Sequence, residues 1–455
     1  MRILIIILGV IAMSCSPRLS TPEVQLADNY NSSAEWVSSV EVDSLWWQTI
    51  DDRVLAALVE KALNRNLTLQ MAQLTVSEAR YNLRVARSGY IPDLSLELSA
   101  ERLREDGVYE SEYEVVPAAS WQIPLFGALR STSQIATAQV AGAEWESRGT
   151  ALTIASEVAK AYYSILEYRS SLDVAMRSSQ LREQATALVD SMHYHGMSSG
   201  VDLSQAKALA ATAKGDVAKY SLALDLSERS LALLLSCSAD SIDFSAISSN
   251  IYTLSSPQSV PVGVPSDLLY NRPDLRQAYF DVQEAMGEVG LARSAQFPSI
   301  SLTVDGGAYS TSLKGLTLSK LLTWEWAVDL VAPIFNMGGL RSKRLSKVEA
   351  YKSTLLEYQQ TVLSALNDVE SAISSIEYTA QQSSSSRLYM EEYRSISRAT
   401  NALYRAGMDD YLSVVEAERE YYAAQIDYIS LLSQQYVNYI NLYTALGCGI
   451  VQVEE

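Results

Sequence analysis

Histidine is nearly missing from this chain, at two residues in 455, and phenylalanine is scarce at five. His193 and His195 stand two apart on a helical stretch, so they do not face one way. With no cysteine nearby and no third histidine, no metal site is expected. Gly196-Met197-Ser198-Ser199-Gly200 has the G-x-S-x-G spacing of a hydrolase nucleophile, but that motif needs a strand before it and a histidine after it. Here a long helical stretch precedes it and both histidines come earlier, so no catalytic residue and no enzyme are expected. Long apolar runs are missing too: beyond the N-terminus nothing reaches the ~18 uninterrupted apolar residues of a transmembrane helix. Positive charge is short, with 35 Lys and Arg against 53 Asp and Glu and a net charge of −18. That balance excludes nucleic acid as a partner and suits a water-filled passage favouring cations or neutral solutes. The 27 tyrosines suit half-wet surfaces, because the ring is apolar and the hydroxyl wants a partner.

A chain of this length exceeds one compact core of roughly 100–200 residues, so it divides or is extended. Its N-terminus reads as an export signal. Arg2 supplies the positive end, Ile3 to Ala12 the apolar run, and Ala12-Met13-Ser14-Cys15 a lipobox. Residues 1–14 are therefore expected to be a lipoprotein signal peptide, with a palmitate-bearing lipid on Cys15 as the only non-protein group. No acidic residue follows in Ser16-Pro17-Arg18, which favours sorting to the outer membrane.

The remaining sequence is written twice. Ala86-Arg87-Ser88 and Pro92 return as Ala292-Arg293-Ser294 and Pro298, and Pro124-Leu125-Phe126 returns as Pro333-Ile334-Phe335. From Leu129-Arg130, which meets Leu340-Arg341, one fixed offset pairs Val158 with Val369, Gly196 with Gly407, Ala206 with Ala417 and Cys237 with Cys448. Matching places in a ring-like assembly lie far apart, beyond the ~7 Å Cα reach of a disulfide, so a Cys237–Cys448 bridge is not expected.

Each copy has one grammar. A helical stretch (Val54 to Ser88; Asp267 to Ala295) leads into strands in which Leu94, Leu96 and Leu98, then Ile300, Leu302 and Val304, then Trp324, Trp326, Val328 and Leu330 alternate with polar residues. Period two puts one face in oil and one in water, as in a transmembrane barrel. A sheet on a soluble core would alternate likewise. The export signal and the aromatics near the strand ends (Tyr90, Tyr113, Trp121, Phe126, Phe297, Phe335) favour the barrel. Helical runs almost without Gly or Pro follow, Ser131 to Tyr194 and Arg341 to Arg405, each able to span roughly 95–100 Å. Leu366, Val369, Ile373 and Ile376 repeat the coiled-coil register of Ala155, Val158, Tyr162 and Ile165. Both runs break at glycine and restart as Val201–Ser236 and Tyr411–Leu446. The expected organisation after a lipid-anchored segment 15–52 is a first repeat 53–265 (strand hairpin 90–126, helical hairpin 131–236, equatorial segment 237–265). A second repeat 266–455 follows (strand hairpin 297–335, helical hairpin 341–446, then a tail). Four strands cannot close in lipid, where open edges leave backbone groups unpaired, and single-chain barrels start at about eight. Several copies must share one barrel, and either two or three would close it.

Trp46-Trp47 with Asp52, Leu55, Leu58 and Ala62-Leu63-x-x-Asn66, then Ser266-Asp267-Leu268-Leu269-x-x-Arg272-Pro273-Asp274-Leu275 and Gly290-x-Ala292-Arg293-x-x-x-Phe297-Pro298, resemble the TolC-like outer-membrane factors. So do Tyr404-x-x-Gly407, Tyr411-Leu412-x-Val414 and Glu416-Ala417-x-Arg419. The resemblance covers essentially the whole mature chain and is closest to the lipoprotein branch serving tripartite, RND-type efflux systems. It implies a mostly α chain with a membrane β-barrel, namely a homotrimer with twelve strands in outer-membrane lipid above an α-helical periplasmic coiled-coil barrel. It implies a passive conduit for small molecules such as drugs, with a periplasmic adaptor and an inner-membrane transporter as partners. A type I secretion duct, a metal-efflux duct and a non-pore periplasmic coiled-coil lipoprotein are the alternatives. Mapped onto this chain, a periplasmic gate falls at Tyr404, Asp409, Asp410, Leu412 and Glu416, and adaptor contacts at Gly196, Met197, Ser198, Gly407 and Met408. Three carboxylates about 6 Å apart would repel by roughly 3 kcal/mol per pair at an effective dielectric of ~20, which makes an acidic ring a sensitive gate. Asp409 and Asp410 could equally cap the returning helix.

Overall fold

The computed structural model describes residues 37–38, 45–50, 52–105, 108–244, 247, 251–252, 260–261, 268–312 and 323–448. The signal peptide, Cys15, Ser266 and Asp267, the tail beyond 448 and much of 15–52 and 237–265 lie outside these. The chain forms two compact units, the first holding Gln73–Glu146 and Asp274–Thr361, the second Ser147–Pro273, Val362 onward and the described residues up to and including Ala72.

In the first unit, strands β2 (Asp93–Glu105), β3 (Val108–Ile123), β5 (Ser299–Ser310) and β6 (Thr323–Val331) form one antiparallel sheet in the order β2-β3-β5-β6. Register settles which faces agree. Leu94 pairs with Ala119, Ala119 with Val304 and Val304 with Trp326. Trp121, Leu302 and Val328 form a second row, Ile123, Ile300 and Leu330 a third. Directly opposed residues share a face, so the alternation within each strand merges into one apolar face across all four. Gly306 opposes Trp324, and a Cβ there would stand 2.7 Å from the indole; the ring covers the bare backbone. Helix α3 (Leu67–Ser88) enters this unit, helix α4 (Ala128–Tyr194) leaves it, and α7 (Pro273–Ser294) and α8 (Gly339–Arg405) repeat the pattern. Helix α7 crosses α4 closely: a Cβ on Gly287 or Gly290 would lie 2.6 Å from the Ile135 or Ser131 side chain. Phe126 and Phe297 stack at 5.1 Å, and Arg276 lies 5.2 Å over Trp145.

The second unit is built on aromatics. Trp46 and Trp47 of the short helix α1 (Trp46–Thr49), with Tyr162 and Tyr163, are fully buried. Trp46 stacks on Tyr443 of α9 (Tyr411–Ala445), and Tyr163 on Tyr436. Asp52 caps α2 (Arg53–Arg65), accepting from Val54 and Leu55 N–H, while its other oxygen accepts the Tyr162 hydroxyl at 2.6 Å. Residues of the opening motif are thus a buried anchor for α4 and α9. The two-residue strands β1 (Val37–Ser38) and β4 (Val260–Pro261) pair in parallel.

The sequence predicts one helix from Val54 to Ser88 and another from Asp267 to Ala295; each is broken once. Asn66 ends α2 and caps α3, its Oδ1 accepting from Thr68 and Leu69 N–H, while its Nδ2 donates to Leu234 O, at the end of α5 (Gly200–Leu234), at 2.8 Å. Arg272 separates α6 (Leu268–Asn271) from α7 and donates to Ala445 O, at the end of α9, at 2.9 Å. Proline at 273 disfavours helix at 272 and suits the first helical position. Next to each clasp the chain turns through positive φ, at Ser236 (51°) and Gly447 (76°). A Cβ on Gly447 would stand 2.7 Å from Asn271 O, so glycine is required there.

Candidate functional site

Two regions carry functional geometry, one in each unit. On the sheet, Leu94, Leu96, Leu98, Trp324, Trp326, Val328 and Leu330 are exposed, an apolar surface of the kind that marks a contact with membrane or another protein surface. The opposite face carries Asp93, Glu97, Glu114, Asp305, Glu325 and Asp329, and none of its strand positions holds Lys or Arg. Strands β2 and β6 are the outer members, so among the described residues each has one side with no strand beside it.

In the second unit two helical hairpins end in matching tips. Helix α4 stops at Gly196 (φ +73°), with Met197 N–H donating to Met192 O at 2.8 Å; α8 stops at Gly407 (φ +72°), with Met408 N–H donating to Leu403 O at 2.9 Å. Both are six-to-one helix stops that need a left-handed residue. Restarts differ in chemistry. Ser199 caps α5 through Asp202 N–H, and Asp202 Oδ2 accepts from Ser199 N–H (2.9 Å) and Ser198 Oγ–H (3.0 Å). These hydrogen bonds, Ser199's backbone first, hold the Asp202 carboxyl below its ordinary range. Asp410 caps α9, its Oδ1 accepting from Ser413 N–H at 2.9 Å and from its hydroxyl at 3.0 Å. Asp409 Oδ1 accepts from Asp410 N–H at 2.8 Å. The Ser-x-x-Asp of the first restart is a capping-box spacing that could have been read from sequence and was not.

Of the residues expected at a gate, Leu412 and Glu416 stand four apart on α9 and are both exposed, hence on one face. Tyr404 is half-buried elsewhere: its ring lies 5.4 Å from that of Tyr411, among Val189, Ala206 and Val414, and its hydroxyl meets Met192 Sδ at 3.7 Å. Burial raises the Tyr404 phenol and pushes Tyr411 up to about 12. Asp410 is the cap, with Asp409 beside it. Among the tip residues Met197 and Met408 are exposed. His193 Nδ1 lies 3.0 Å from Ser198 O, and Ser198 Oγ serves Asp202. Arg398 and Arg405 line a groove of about 790 Å3 that also meets Arg182, Tyr404, Tyr411 and Tyr422. Arg182, missed in the sequence, is 5 % exposed and lies 5.4 Å over the Tyr422 ring. Among the described residues no group of three or more His, Cys, Asp or Glu could hold a metal, no helix is long and apolar enough to cross a membrane, and Cys237 and Cys448 are both free.

The sequence profile of the outer membrane efflux protein family matches residues 58–236 and 264–448. The solvent efflux pump outer membrane protein SrpC of Pseudomonas putida is 29% identical over 407 residues, 88% of this chain and 86% of that one. The probable outer membrane lipoprotein SilC of Salmonella typhimurium is 27% identical over 97% of this chain and 96% of its own. The open-state MtrE outer membrane channel of Neisseria gonorrhoeae superposes with a TM-score of 0.85 at 26% identity, over 96% of this chain and 98% of that one. An apolar-faced sheet, glycine-stopped helical hairpins and this match over most of the chain agree: the protein belongs to the outer membrane efflux protein family and is the outer-membrane channel component of an efflux pump, a passive conduit and not an enzyme.

Proposed function

We propose that three copies of this chain, each lipid-anchored at Cys15 and each a tandem repeat, close a twelve-stranded barrel over a helical coiled-coil barrel in the periplasm. The conduit exports small organic solutes handed over by a periplasmic adaptor and an inner-membrane transporter. One observation carries the reading. The sheet has one continuous apolar face and two outer strands with a free side each. In lipid, every backbone group must find a partner, so β2 of one copy pairing with β6 of the next satisfies both. The apolar face then meets lipid and the carboxylate face lines the lumen, which favours cationic and neutral cargo. The relative named as a solvent efflux protein supports small molecules over polypeptides.

At the other end, Leu412 and Glu416 with Asp409 form the gate. Asp410 fixes the start of α9, and Tyr404 seats the gate helix against α4. The exposed tips Gly196-Met197-Ser198 and Gly407-Met408 receive the adaptor. Planar-bilayer conductance of the full-length protein, with its oligomer mass in the same detergent, tests the assembly. Small cation-preferring currents from a trimer support it; a monomer without currents overturns it and leaves a soluble scaffold.

A further inference from the structure

The apolar face of the sheet carries one conspicuous exception. Counting along β2, the residues that share a face with Leu94, Leu96 and Leu98 continue through Ala100 to Arg102 and Arg104. On β3 the same face holds Tyr113, Ser111 and Tyr109, with Arg104 directly opposite Tyr109. Both guanidinium groups lie over that one phenol ring, Arg102 at 4.7 Å and Arg104 at 5.2 Å from its centre. All three side chains are exposed, and neither arginine has an ion-pair partner among the described residues. These are the only basic residues in the four strands, and both fall on the face opposite the carboxylates.

Depth gives the arrangement its meaning. Ten residues separate Leu94 from Arg104, roughly 34 Å along a strand, or roughly 26 Å of rise at a tilt of ~40°. The apolar band of an outer-membrane barrel is ~25 Å tall. With Leu94 at the end nearest the helices, the two arginines reach the far boundary, where a charge on the lipid face is tolerated and at mid-depth would not be. Tyrosine is an interfacial residue for the same reason, apolar at one end and wet at the other. Two guanidiniums held side by side on one ring form a fork whose chemistry matches a phosphate ester, which accepts paired, charge-assisted hydrogen bonds.

Resting on the barrel reading above, which makes this boundary the outer leaflet, we infer that Arg102, Tyr109 and Arg104 form a binding site for a phosphorylated lipid headgroup. A trimer carries three such sites on its rim, each holding an outer-leaflet lipid by its phosphate.

The test uses the purified full-length protein in detergent, offered lipid A with its phosphates and the same lipid with the phosphates removed, and scored by native mass spectrometry. Retention of the phosphorylated form is expected to be about tenfold or more above the dephosphorylated form. The preference should vanish in Arg102→Gln/Arg104→Gln and survive millimolar inorganic phosphate. Equal retention of the two lipids by the unaltered protein overturns the site without reliance on any variant. So does an undiminished preference in the double variant, and so does displacement by inorganic phosphate, which would mark a free-anion site. The same preparation is placed in a planar bilayer: pores without lipid preference remove this site and keep the channel, whereas no pores remove both.

Discussion

The two halves of the helical unit solve the same mechanical problems with different chemistry. At one end an interrupted helix pair is tied to the end of a hairpin helix, by the neutral amide of Asn66 on Leu234 O in the first half and by the guanidinium of Arg272 on Ala445 O in the second. At the other end the same glycine stop is followed by Ser-x-x-Asp in the first half and Asp-x-x-Ser in the second; Asp202 answers the Ser199 cap reciprocally, whereas Asp409 takes the Asp410 N–H and the Ser413 hydroxyl donates to the Asp410 carboxylate. Backbone geometry is held fixed and side-chain charge has drifted. The second half carries charge at both ends of its hairpin, which suits a moving element with partners to find and lose.

The clasps should differ most. Arg272→Ala removes charge-assisted bonds and strands a buried carbonyl, at a cost of about 2–3 kcal/mol; the contribution through Asp368 is discounted because that carboxylate is half exposed. Asn66→Ala should cost about 1–2 kcal/mol. Hydrogen exchange at the last turns of α5 and α9 reads both, and equal losses would break the contrast. The stops should not differ: Gly196→Val and Gly407→Val each force a β-branched residue into positive φ, costing ~1–3 kcal/mol, with matching loss of protection at the two tips. Unequal losses would show that one tip has lost the shared geometry.

Much of this was legible before any coordinates. Alternation in β2, β5 and β6 located the sheet because one apolar face and one polar face select residues with period two. Gly196 and Gly407 located the tips because few other residues accept their φ. What escaped notice was carried by single polar side chains acting over long sequence separations. Asn66 reaches Leu234 and Arg272 reaches Ala445, and no local pattern announces a partner more than a hundred and sixty residues away. Tyr404 enters the expected gate through the family resemblance, and no local pattern announces what its ring packs against. Its ring is turned against Tyr411 by packing among Val189, Ala206 and Val414, which only tertiary contact decides. Asp409 and Asp410 read equally as gate and cap; Asp410 does cap α9.

Charge at the second tip can be separated from its geometry. Asp409→Ala with Asp410→Ala should cost about 1 kcal/mol as a lost cap and raise single-channel conductance. Ser198→Ala with Ser199→Ala should cost the cap alone and leave conductance unchanged. If both pairs shift conductance alike, the tips are equivalent and the gate is not acidic. The smallest effect is one of pH at the first tip. Asp202 titrates below its ordinary value of 3.8 in the folded chain, so the stability it lends is present above that value. It is lost as pH falls through the depressed folded-state value. Amide protection at Ser199 and Asp202, taken relative to the intrinsic exchange rate at each pH, should therefore fall in that acid window, and Ser199→Ala should flatten the dependence. An identical acid response in the Ser199→Ala protein would place its cause elsewhere.

The free sides of β2 and β6 also bear on how the channel is born. β2 is thirteen residues long and β6 nine, and a lone copy entering oil would carry those rows of unmatched peptide groups with it. In the three-copy barrel proposed above, a ladder of stable one-copy and two-copy membrane intermediates would therefore be closed. Under that proposal recruitment would come before insertion, with the copies gathering at the bilayer surface and crossing together. Maturation then becomes a collective event whose rate rises more steeply than in proportion to the amount of chain exported, and a copy with a damaged edge strand would poison the sound copies it joins.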